Sequence, residues 1–76
     1  MITAVSLNRI PRFAPVRREL AEWVREKGSL KVRFVLDRSM MFPKPAIQAW
    51  LDDSPDPGTR AQRYAALYVA LEEIEK

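Results

Sequence analysis

Tyr64, Leu67, Tyr68, Leu71 and Ile74 recur at the three- and four-residue spacing that lines up side chains along one face of an α-helix. Thr59 with Gln62 forms a T-x-x-Q capping box ahead of them, which predicts a helix from Thr59 to Glu75. Ala61, Ala65, Ala66 and Ala70 add helix propensity and let a neighbour approach closely. In a chain of 76 residues such a helix leaves room for one small domain only. No cysteine is present, so no disulfide can staple the fold. Two supports remain, a tight helical core or a partner.

The rest of the chain supplies partners for that helix. Pro15 suits a first helical turn, and Val16, Leu20, Trp23 and Val24 share one face, which predicts a helix from Val16 to Lys27. Gly28 follows where a left-handed residue commonly closes a helix. After Pro45, the residues Ala46, Ile47, Trp50 and Leu51 mark a short helix that ends in the turn cluster DDSPDPG. Residues 29–37, SLKVRFVLD, read two ways. Leu30, Val32, Phe34 and Leu36 alternate as in a strand, while Val32, Val35 and Leu36 behind Ser29 form a helical stripe. The fold class expected is therefore mainly α, a three- to four-helix domain over 15–76. A basic N-terminal arm precedes it over 1–14, and one short β-pairing of 2–7 with 30–36 is the open alternative. Pro11 and Pro15 stiffen that arm without folding it.

Charge is unevenly distributed. Residues 1–44 hold ten Lys/Arg against four Asp/Glu, and residues 45–76 hold three against six. A basic half suits phosphate, and it equally suits an acidic protein face. No apolar run is long enough to span a membrane and no secretory signal stands at the start, so a cytoplasmic protein is expected.

Catalytic chemistry is poorly supplied. With neither histidine nor cysteine, the usual metal ligands, the commonest general base and the thiol nucleophile are all missing. Asp52, Asp53 and Asp56 do not follow a calcium-loop spacing, and Pro55 and Pro57 interrupt them. With only Gly28 and Gly58, no glycine-rich phosphate cradle can form. The expectation is a non-enzyme with no metal, no cofactor and no small-molecule substrate.

The order of parts is a helix, the Gly28 break, a short apolar element, a turn, a helix bearing Ile47-Gln48-Ala49-Trp50, a polar turn and a final helix. This order, with the I-x-x-W pattern, resembles the small phage-type helix-turn-helix transcription regulators of the Cro and repressor kind. The resemblance implies that Ile47 and Trp50 lock the second motif helix, while Lys44 and Gln48 face a major groove to read bases. Arg9, Arg12, Arg17, Arg18, Lys31 and Arg33 would neutralise phosphates.

Two features suit a protein partner instead. Arg38 to Lys44 is longer than the usual three- or four-residue turn, and Asp52, Asp53 and Asp56 follow the reading helix. Such a domain would bind host RNA polymerase, as an inhibitor of initiation or an antitermination factor. Met40, Met41 and Phe42 form an adaptable apolar group fit for docking. Arg60 and Arg63 near the start of the last helix, and Glu72, Glu73 and Glu75 near its end, oppose its macrodipole. Those charges would face a complementary partner, which could be a second copy docked through the last helix.

Overall fold

The computed structural model describes residue 7 and residues 9–75. Four helices follow one another among them: α1 over Phe13–Lys27, α2 over Ser29–Arg38, α3 over Pro45–Asp52 and α4 over Pro57–Glu75. No strand occurs among the described residues, and 30–36 is helical, so the pairing with 2–7 does not form. Residues 2–6, where most of its partner strand was expected, lie outside the described residues. Helix wins over 29–38 because Val32 and Leu36 then fall on one side and bury against the rest of the chain.

α1 packs on all three other helices, and α4 packs on α1, α2 and α3. The core lies between these two. Leu20, Val32, Ile47, Leu51, Leu67 and Leu71 are its fully buried large side chains, contributed by all four helices. Along α4 the buried line runs through Ala66, Leu67, Ala70 and Leu71, which leaves Tyr64 and Tyr68 half-buried at its edges. The alanines let α4 approach closely, and the Tyr68 hydroxyl donates to Asp37 at the edge of the core.

Three boundaries differ from expectation. α1 begins at Phe13 rather than Val16, because the Phe13 ring is buried against Trp50 with centroids 5.3 Å apart. Leu7 is buried as well, so among the described residues of the basic arm expected over 1–14, Leu7 and Phe13 reach the core. Arg12 bridges into α1 with a positive φ of 62°.

α4 begins at Pro57, two residues before the expected capping box. Its cap is Asp56, whose carbonyl accepts the Arg60 N–H at 3.1 Å and whose carboxylate accepts the Thr59 N–H at 2.7 Å. Aspartate followed by proline is a favourable way to start a helix, since proline has no N–H to satisfy. The Thr59 N–H also holds the Asp56 carboxyl below its ordinary range.

Gly28 is not left-handed. At φ 88° and ψ 150° it occupies a region essentially reserved for glycine, which lets α2 start immediately after α1 ends. Its N–H still closes α1 by donating to the Val24 carbonyl at 2.8 Å.

Candidate functional site

α3 is the element expected to read a partner, and at eight residues it is too short to be stable alone. Its neighbours hold it at both ends. At the N-terminus no local side chain caps it, and Pro45 occupies the first turn. Glu19, reaching over from α1, accepts the backbone N–H groups of Ala46 at 3.2 Å and Ile47 at 2.8 Å. At the other end Arg63 donates to the Trp50 carbonyl at 2.5 Å and Arg60 to the Leu51 carbonyl at 2.8 Å. A carboxylate at the positive end and two guanidinium groups at the negative end both complement the α3 dipole.

Arg60 and Arg63 therefore oppose the dipole of their own helix while serving that of its neighbour. Each also covers a ring, Arg60 lying 5.8 Å from the Tyr64 centroid and Arg63 5.3 Å from that of Trp50. The acidic end of α4 is likewise engaged inside the chain: Glu73 faces Arg17 at 3.8 Å and Glu75 bonds Arg33 at 3.2 Å. Exposed pairs like these add little stability, about 0–1 kcal/mol, but they account for Glu73 and Glu75 without a partner, while Glu72 stands exposed.

The two side chains expected at base edges are also engaged. Lys44 bonds Glu26 at 3.1 Å. Gln48 accepts the Phe42 N–H at 2.7 Å and donates to both carboxylate oxygens of Asp52 at 3.1 Å. Gln48 thus ties the 39–44 connection to α3. That connection is held from its inner side too, where Phe42 is buried between Trp23 and Tyr64 with centroids 6.5 and 6.0 Å away. Phe42 is a core residue, whereas Met40 and Met41 beside it are 79% and 74% exposed.

Four of the expected phosphate ligands come together. Arg9, Arg12, Arg17 and Arg18 line one concavity of about 700 Å³ with Leu7, Ile10 and Phe13. Arg12 is hydrogen-bonded to Asp53 at its rim, and that contact, then the guanidinium charge, holds the Asp53 carboxyl below its ordinary range. Lys31 and Arg33 are not part of this cluster, because both stand on α2.

Sequence reading missed Leu30 and Phe34, which are 84% and 59% exposed on α2. Their signal was present in the helical reading of 29–37, where they sit four apart and opposite Val32 and Leu36. Among the described residues no helix is long and apolar enough to cross a membrane, and no cluster of three or more carboxylates could hold a metal ion. No family model matches the chain, and neither curated proteins nor solved structures show a match to it.

Proposed function

We propose that this chain is a small transcription regulator that acts by gripping another protein, host RNA polymerase, to block initiation or alter termination in the bacterial cytoplasm, without catalysing a reaction. Its likeness in element order to phage helix-turn-helix regulators supports the regulatory part. One observation carries the choice of a protein target: Lys44 and Gln48 are held by Glu26, Asp52 and the Phe42 N–H. To read bases they would have to break these bonds first. Two further details agree with it. The positive end of α3 faces the Glu19 carboxylate, where a phosphate would meet repulsion. Asp52 and Asp53 stand exposed at its other end.

A second reading, duplex DNA gripped through its backbone, is favoured by the four arginines around one concavity. Such binding would be sequence-tolerant and would weaken steeply with salt. Titrating the full chain against bacterial RNA polymerase holoenzyme and against duplex DNA, at about 50 and 200 mM salt, separates the two. Polymerase binding at both salts with weak, salt-sensitive duplex binding is the expected result. Tight duplex binding with no polymerase binding would install the second reading instead.

A further inference from the structure

Leu30 and Phe34 stand one turn apart on the outward side of α2, flanking a shallow hollow of about 430 Å³ that Lys31 and Val35 complete. Met40 and Met41 leave the end of the same helix almost fully exposed. Val32 and Leu36 already supply what α2 buries in the core. One exposed apolar side chain would carry no message, but four large ones on a helix and the segment leaving it do. Helix propensity does not require phenylalanine at 34, since a charged residue would serve an outward helical position better.

Two cations border this face. The Arg38 guanidinium lies over the Phe34 ring, 4.7 Å from its centroid, which restrains the ring and keeps a cation at its edge. Lys31 lines the hollow itself. Neither cation has an ion-pair partner among the described residues. Asp37, the one acid on α2, is exposed one turn beyond Phe34 and accepts the Tyr68 hydroxyl, so the face carries two cations against one carboxylate. Phenylalanine, methionine and arginine are the residue types that interface centres concentrate.

We infer that this face of α2 docks an acidic amphipathic segment of a partner protein. The segment sets apolar side chains into the hollow between Leu30 and Phe34 and turns carboxylates toward Lys31 and Arg38. The identity of the partner as RNA polymerase rests on the reading above. The chemistry of the segment rests on this face alone.

The test titrates the full chain with two probes, bacterial RNA polymerase holoenzyme and a labelled helical peptide carrying leucines on one face and glutamates on the other. A peptide with lysines in place of the glutamates is the charge control. Phe34→Glu and Leu30→Glu change exposed positions, and circular dichroism with a thermal melt checks that they remain folded. The double variant Lys31→Glu/Arg38→Glu reverses the charge of the rim. Each change should weaken binding of the acidic peptide and of polymerase at least about tenfold, and the lysine peptide should bind the wild type at least about tenfold less well.

If polymerase binds every variant like wild type, the docking face is overturned while the polymerase reading stands. If the acidic peptide binds and Phe34→Glu abolishes it, but polymerase does not bind at all, the face is upheld and the polymerase reading fails. A wild type that self-associates in sedimentation, becomes monomeric as Phe34→Glu and ignores the peptide would show that a second copy covers the face, and would overturn the proposal.

Discussion

Glu19 on α1 accepts the backbone N–H of Ile47 on α3 at 2.8 Å, so the first turn of α3 is capped by a side chain 28 residues away. Together with the bond to Ala46, this satisfies two donors that a helix start leaves open. An eight-residue helix begun by proline, with no local cap, depends on such a contact.

Removing that carboxylate should cost stability in proportion. Glu19→Ala is expected to destabilise the chain by about 1–2 kcal/mol, the range for losing a capping acceptor and leaving half-buried donors unpaired. Glu19→Gln should lose less, since one oxygen still accepts but the charge facing the dipole is gone. Urea denaturation of the three proteins measures this, and equal midpoints would refute the capping role.

At the opposite end of α3, Arg63→Ala should lower stability by about 1–2 kcal/mol, because the Trp50 carbonyl loses a charged donor and the Trp50 ring loses its cover. Arg63→Lys should recover only part, since an ammonium can reach the carbonyl but cannot stack flat on the ring. Thermal melts should show a Tm loss of about 4–8 °C per kcal/mol for a domain of this size. Full recovery by lysine would mean the stacking adds nothing.

Gly28 provides a test of backbone alone. Beyond its two chain neighbours, a Cβ at this position would meet no atom within 4 Å, so any penalty comes from the local backbone at φ 88° and ψ 150° and not from tertiary crowding. Gly28→Ala should cost about 1–3 kcal/mol. Asparagine rescues left-handed helix ends, yet Gly28→Asn should be no better than alanine here, because this region excludes both. Chemical denaturation that finds asparagine clearly superior would place Gly28 in the left-handed well instead.

Tyr68 should titrate late. Burial, followed by the hydrogen bond to Asp37 and the Asp37 charge, pushes its phenol up to about 12 from an ordinary value of 10.0. The fold holds the protonated form, so the stability this contributes is complete below pH 10 and is lost as pH rises through 10 to 12. In a Tyr64→Phe background, phenolate absorbance should report one native midpoint near 12. Asp37→Asn should lower that midpoint only part of the way, since burial is the largest cause and remains. An unchanged midpoint in Asp37→Asn would remove Asp37 from the account.

Periodic apolar spacing was enough to place three of the four helices. Val16, Leu20 and Trp23 on α1, Ile47, Trp50 and Leu51 on α3, and Leu67 and Leu71 on α4 are all buried as their spacing implied. Helix faces are local properties, written into intervals of three and four residues, and a reader of the chain can count them. Of the six basic residues expected to act together, Arg9, Arg12, Arg17 and Arg18 are close in the chain and line one concavity, while Lys31 and Arg33 stand apart on α2.

What the chain alone left open was everything that depends on a second element arriving. Residues 29–38 carry both periods, and only burial of Val32 and Leu36 against the other helices selects the helix. That selection in turn places Leu30 and Phe34 outside, creating an apolar face where the alternation had suggested a half-buried strand. Arg60 and Arg63 look misplaced within α4 and become sensible only beside the C-terminus of α3. Lys44 and Gln48 look free to read a partner until Glu26, Asp52 and the Phe42 N–H are brought within hydrogen-bond reach. Hydrophobic periodicity is a one-dimensional signal, whereas hydrogen bonds and ion pairs form between groups that only the tertiary fold makes neighbours.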